Sequence, residues 1–250
     1  MKFKSLVLML LLFLGMNTYA ANNQSAYKTD VTVDGINKEW SSPLPRYNKN
    51  TGINFDVTND ERNIYLIIRV ADTTSQRQIL QNGLEVWINK DGKKKTTTGI
   101  TYPMAPDKSK AALNNQLART NGFSMNINEL ILTGFLLENG RQPVQGCPVK
   151  VAFRKDPSDC FVYELAIPFN TFYKEKLEKE DLGKGFYIGF IVKGTTFDLN
   201  TMRGEVMRNI AQGGGGFGGD DHRLGGMMTV MSRMGDLDKI CWQKIRFSLK

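Results

Sequence analysis

Short apolar runs of strand length, each closed by a cluster of turn-forming residues, most limit what this chain can fold into. Residues Gly52–Thr58 set Ile53, Phe55 and Val57 against Asn54, Asp56 and Thr58. That is the period-2 alternation of a half-buried strand. After the turn cluster Asn59-Asp60-Glu61-Arg62-Asn63, the run Ile64–Ala71 is more continuously apolar, as a central strand covered on both faces requires. Leu84–Asn89 is a further strand, stopped by Asn89-Lys90-Asp91-Gly92. These three predict an antiparallel meander within an all-β fold.

The pattern continues. Val149–Arg154 and Cys160–Ile167 read as a hairpin about Lys155-Asp156-Pro157-Ser158-Asp159, with Pro168 closing its second strand. Gly185–Lys193 puts Phe186, Ile188, Phe190 and Val192 on one face, and Trp242–Leu249 is the last strand. Thr29–Val33 is the first, running into the turn pair Asp34-Gly35. Short surface helices are expected at Lys108–Thr120 and Asn170–Leu182, whose apolar residues fall at helical spacing. Met125–Leu137 fits a strand pair or a helix. Residues 213–236 carry a glycine run and then Met227, Met228, Met231 and Met234. A stretch this rich in glycine has maximal backbone entropy to lose and little to bury, so it predicts a mobile loop.

The N-terminus has the form of a signal peptide. Lys2 and Lys4 precede an apolar run from Leu6 to Met16, and Thr18-Tyr19-Ala20 offers a small-residue cleavage site. The run is too short for a bilayer, which needs roughly 20 residues. Residues 1–20 are therefore expected to be removed and residues 21–250 to form one secreted or periplasmic domain, with no membrane span. Removing Lys2 and Lys4 lowers the net charge from +8 to +6. The basic residues are scattered apart from Lys93-Lys94-Lys95, which argues against a nucleic-acid partner. The tri-lysine reads as a solvated strand edge.

Three cysteines, Cys147, Cys160 and Cys241, leave an odd count for a compartment that permits disulfides. In a hairpin centred near Pro157, Cys160 lies opposite Arg154. Cys147 is then offset by about seven residues, or roughly 23 Å. A bridge needs Cα atoms within about 7 Å, so no Cys147–Cys160 disulfide is expected.

Little in the chain supports catalysis. His222, the only histidine, sits in the glycine-rich stretch, a poor place to hold a base beside a nucleophile. There is no Gly-x-Ser-x-Gly, His-Glu-x-x-His or Cys-x-x-Cys. The glycine run lacks the Lys-Ser/Thr ending of a phosphate loop. Asp220-Asp221-His222 reads as a solvated acidic pair. Asn89-Lys90-Asp91-Gly92 has a faint calcium-loop form, the one cation the sequence leaves open, but reads better as a hairpin turn. No cofactor is expected.

Aromatic faces are the remaining candidates, because sugar rings stack on them while polar side chains read hydroxyls. Trp40 and Trp242 read as structural. Trp87 and Glu85 share one face of their strand and form a polar-plus-aromatic pair. Arg69 and Asp72 are expected to extend that surface.

Val33-Asp34-Gly35 with Trp40, Leu84-Glu85-Val86-Trp87-Ile88, and Tyr163-Glu164-Leu165-Ala166-Ile167-Pro168-Phe169 followed by Gly185-Phe186-Tyr187-Ile188-Gly189-Phe190 together resemble the carbohydrate-binding-module family 9-like (DOMON-like) domain. The resemblance implies an antiparallel β-sandwich of jelly-roll or immunoglobulin-like form. It also implies sugar binding, to which the glutamate matching Glu85 contributes. The family's two clamping tryptophans have no counterpart here: Ser75–Gly83 holds no aromatic, and the glycine-rich insertion replaces the second. The expectation is a secreted, non-enzymatic carbohydrate-binding module using Glu85, Trp87, Arg69 and Asp72. Two rival readings are an assembly protein whose Gly/Met-rich loop orders on a protein partner, and a noncovalent haem-binding domain using Met207, Met227 or His222.

Overall fold

The computed structural model describes residues 23–105, 126–194 and 238–250. Within them the chain is a β-sandwich of two six-stranded sheets. The first contains β1 (Ala26–Tyr27), β2 (Arg46–Asn48), β3 (Ile53–Asn59), β4 (Asn63–Val70), β9 (Lys150–Lys155) and β10 (Phe161–Pro168). Its order is β1-β3-β4-β10-β9, with β2 also on β3. The second contains β5 (Leu84–Asn89), β6 (Thr98–Thr101), β7 (Glu129–Thr133), β8 (Gly140–Pro143), β11 (Phe186–Val192) and β12 (Lys239–Ile245), in the order β12-β11-β5-β6-β7-β8. All pairings are antiparallel except β1 with β3.

Alternation decides what fills the space between the sheets. Ile53, Phe55 and Val57, with Ile64, Leu66, Ile68 and Val70, meet Leu84, Val86 and Ile88, and Phe186, Ile188, Phe190 and Val192, in one buried cluster. Phe55 meets Phe190 across the sheets edge to face at 4.8 Å, and Tyr102 stacks on Tyr163 at 5.6 Å. Burying each such side chain contributes about 1.5–3 kcal/mol.

The expected meander is broken after β4. Strand β5 pairs with β11 and β6, in the opposite sheet. The crossing is made by α1 (Thr73–Asn82), the α-helix among the described residues, which the sequence reading did not place. Asp72 caps it, accepting from the Ser75 N–H at 2.7 Å, and Gly83 ends it at φ 80°. Ten residues of helix rise about 15 Å, enough to cross sheets that pack about 10 Å apart.

Other expectations are corrected. Asn170–Leu182 is not an α-helix but holds two 3₁₀ turns, Phe169–Thr171 and Lys179–Asp181. Its hydrogen bonds are drawn elsewhere: the Leu177 N–H donates to the Glu61 carbonyl at 2.7 Å, and Phe172, Leu177 and Asp181 are buried. Thr29–Val33 is not a strand; pairing stops at Tyr27, and Asp30 takes a φ of 61°. The segment instead crosses the outer face of the first sheet, where Val31, Val33 and Leu44 pack on Trp40, Tyr65, Ile67, Val162 and Ala166. That cover explains why β4 is apolar on both faces. The last strand runs from Lys239 to Ile245 rather than from Trp242 to Leu249. Of the stretch Met125–Leu137, the described residues 126–137 hold one strand, β7.

The β9–β10 hairpin forms with a register two residues from that expected: Val162 faces Arg154, and the Asp156 N–H donates to the Cys160 carbonyl at 2.8 Å. All three cysteines are free. The leader expected at 1–20, the helix expected at 108–120 and the loop expected at 213–236 lie outside the described residues. Among the described residues no helix is long and apolar enough to cross a membrane.

Candidate functional site

On β5, Leu84, Val86 and Ile88 point into the core, so Glu85 and Trp87 face outward from the second sheet. They touch. Trp87 Nε1 donates to Glu85 Oε2 at 2.9 Å, and Lys193 Nζ, from the end of β11, pairs with Glu85 Oε1. Both carboxylate oxygens are thus engaged, and Glu85, buried at 8% exposure, orients the indole.

Two glycines determine how the indoles lie. Gly99 on β6 registers with Trp87, and Gly189 on β11 registers with both Trp87 and Trp242. A Cβ on Gly99 would fall well inside van der Waals contact of Trp87 Cε3, Cζ3 and Cδ2. One on Gly189 would stand 2.6, 2.7 and 2.8 Å from Trp242 Cζ3, Cε3 and Cη2. Near-equal distances to three neighbouring ring atoms put that point over the ring face rather than its edge. Each indole therefore lies flat on bare backbone, with its other face outward, and both tryptophans are half-buried. Polar residues border most of this row, with Ile191 and Ile240 beside Gly189 and Trp242 on the Glu85 side. Tyr187 and Lys244 pair in register on one side, and Glu85 with Thr101 on the other.

The two other predicted site residues lie elsewhere. Arg69 follows Tyr65 and Ile67 on the outer face of β4, the opposite side of the sandwich. Its Nε donates to Asp156 Oδ2 at 3.0 Å, and Asp156 in turn accepts from the Ser158 and Cys160 N–H groups of the β9–β10 turn. Asp72 is spent on capping α1, accepting from the Ser75 N–H and Oγ at 2.7 Å each, with Lys239 Nζ 3.4 Å away. Burial pushes the Asp72 carboxyl up, but the Ser75 and Lys239 donors outweigh it and hold the carboxyl below its ordinary value. The structure joins Glu85 to Trp87 and separates both from Arg69 and Asp72.

Sequence reasoning read Trp242 as structural and did not single out Lys193 or the two glycines. A glycine inside a strand often marks the close approach of something bulky, and Gly99 and Gly189 carried that signal. Asn89 closes its own turn, its Oδ1 accepting from the Asp91 and Lys93 N–H groups at 3.0 and 2.9 Å. Among the described residues no group of three or more His, Cys, Asp or Glu is placed to hold a metal ion.

A notch opens where β1 and β2 both end on β3, opposite β12, and Trp242 and Cys241 also line it. Its volume is about 540 Å³, and Tyr47, Asn48, Phe55 and the Arg46–Asp56 ion pair line it. Burial pushes the Asp56 carboxyl up despite Arg46. No predicted site residue reaches it.

No protein-family model, curated protein or solved structure matches the chain. Function must be argued from these residues.

Proposed function

We propose that this protein is a secreted, non-enzymatic carbohydrate-binding module, and that it binds on the outer face of the second sheet at Trp87. One observation carries the reading. The Trp87 indole lies flat over Gly99, is held by Glu85 through Nε1, and is bordered by hydroxyl, amine and carboxylate groups. A sugar ring presents an apolar C–H face and a polar rim, and this surface offers the complement of both. The family 9-like resemblance, which rests on Leu84-Glu85-Val86-Trp87-Ile88, supports the same position. Here Glu85 serves chiefly to orient the ring, since Lys193 and Trp87 engage both of its oxygens.

The non-enzymatic reading rests on how the buried carboxylates are used. Glu164 accepts from three donors, Asp181 from Lys184, Tyr173 and the Glu178 N–H, and Glu85 from the indole. Each is committed to holding the fold or a ring in place.

The test is thermal unfolding against a panel of mono- and oligosaccharides. A ligand at 100 times its dissociation constant adds roughly 2.7 kcal/mol. For a chain of this size that raises the midpoint by about 5–10 °C. Trp87→Ala should remove the shift while the ligand-free midpoint stays within a few degrees. A panel with no shift, or a shift that Trp87→Ala leaves intact, counts against the reading.

A further inference from the structure

The two indoles form a spaced pair. Trp242 stands on β12 and its ring lies over Gly189 on β11; Trp87 stands on β5 and its ring lies over Gly99 on β6. Strand β5 runs between β11 and β6. The rings therefore sit two strand spacings apart, about 9–10 Å, on one face of one sheet. No side chain but the stem of Trp87 rises between them in that row, because Gly189 is the residue of β11 there.

Resting on the carbohydrate reading above, we infer that the ligand is an extended β-1,4-linked glycan laid across the strands, with one sugar ring on Trp87 and another, two residues along, on Trp242. Flat, outward-facing rings on an open sheet suit the interior of a chain rather than a clamped end. Equatorial 1,4 linkages give a ribbon in which alternate residues present the same face to one side. Such a ribbon meets two platforms on one sheet face in succession, whereas an α-1,4-linked chain coils away from the second. Glu85, Thr101 and Lys193 flank the Trp87 end of such a ribbon on one side, where Ile191 and Ile240 continue the row toward Trp242, and Tyr187 and Lys244 run along its other edge, where hydroxyls project. A disaccharide covers one ring. Only a longer chain reaches both.

The experiment is calorimetric titration of the full chain with β-1,4-linked gluco-oligosaccharides of two, four and six units, beside the α-1,4-linked series. Binding of the β-linked series should tighten about tenfold or more between two and six units, equivalent to about 1.4 kcal/mol or more. Trp242→Leu covers Gly189 without offering a flat face, so it should bring the hexasaccharide back to disaccharide affinity. Trp242→Tyr should retain most of the gain, and this contrast separates stacking from a merely structural role. If the hexasaccharide binds no tighter than the disaccharide, or Trp242→Leu leaves its affinity unchanged, the two-platform inference is wrong while the carbohydrate reading stands. Preference for the α-linked series likewise overturns the ribbon alone. Absence of binding by any glycan removes both.

Discussion

Trp40 Nε1 donates to Glu164 Oε1 at 2.7 Å, joining two segments 124 residues apart on the outer face of the first sheet. The other oxygen of Glu164 accepts from the Asp34 and Gly35 N–H groups at 3.0 and 2.7 Å. Gly35 has a φ of 79°, and a Cβ there would stand 2.8 Å from Arg154 Cγ, so only glycine fits. Glu164 is fully buried in an otherwise apolar strand. Burial pushes its carboxyl up, although the Gly35, Trp40 and Asp34 donors oppose the rise. Two of the motifs that suggested the family, the Asp34-Gly35…Trp40 opening and the Tyr163-Glu164-Leu165 strand, are thus two halves of one fastening.

Removing the acceptor leaves three donors buried without a partner. Glu164→Ala should therefore cost about 3–5 kcal/mol. Trp40→Phe, which keeps most of the apolar body and loses one bond, should cost about 1–2 kcal/mol. Urea unfolding measures both. A loss below about 1 kcal/mol for Glu164→Ala would mean that water reaches these donors as readily as the carboxylate does.

Asp181 gives the fold a pH signature. Burial would raise its carboxyl, but bonds from Lys174, Tyr173, the Glu178 N–H and Lys184 outweigh that and hold it well below the ordinary carboxylate range. A depressed folded-state pKa stabilises the fold above the unfolded value, and that stabilisation is lost as pH falls through the folded pKa. Wild-type stability should decline as pH drops below about 4. Asp181→Asn should start less stable at neutral pH and show a shallower decline in that window. Parallel acid limbs for the two proteins would show that other carboxylates dominate.

The strands were legible wherever burial imposes alternation. Leu84–Asn89 is read from sequence at both ends, and Phe186, Ile188, Phe190 and Val192 share a face as their spacing requires. Helix α1 was not legible because Ile79 and Leu80 are its only large apolar residues, too few to show a period. Asn170–Leu182 misled for the opposite reason: its apolar residues fall at helical spacing, but Leu177 and Asp181 are held by Glu61 and two lysines. The site divides the same way. Glu85 and Trp87 were found because i and i+2 always share a strand face. The pairing of Trp242 with Gly189 was not legible because they are 53 residues apart in the chain, and only the β11–β12 register brings them together. Arg69 and Asp72 were expected to extend the same surface, but α1 carries the chain to the other sheet after them.

The thiols offer an independent check on packing. Burial pushes the Cys241 thiol up to about 11, and raises those of Cys147 and Cys160 as well. At pH 8 about one in a thousand Cys241 thiols would be ionised, and the thiolate is the reactive form. Cys147 is half-buried while the other two are buried. A thiol reagent should therefore modify Cys147 first, and Cys241, though it lines the notch beside β12, should react far more slowly. Intact mass should be the same with and without reductant, in keeping with three free cysteines. Labelling of Cys241 as prompt as that of Cys147 would show that the notch or the β12 edge admits the reagent more easily than the packing implies.

The glycines beneath the indoles provide the last prediction. Gly99→Ala and Gly189→Ala each add a methyl where a ring now lies, so the ring must lift from the sheet or the strands must part. Overpacking of this kind costs about 1–3 kcal/mol. Lifting the Trp87 ring also strains its bond to Glu85, so Gly99→Ala should expose that indole and shift tryptophan emission to the red. Trp40 makes no contact with either glycine and serves as a constant background. In the double change Gly99→Ala with Trp87→Ala the clash disappears, and stability should recover relative to Gly99→Ala alone. That recovery is the decisive reading: two costs that simply add would mean the Trp87 ring does not rest on Gly99 in solution.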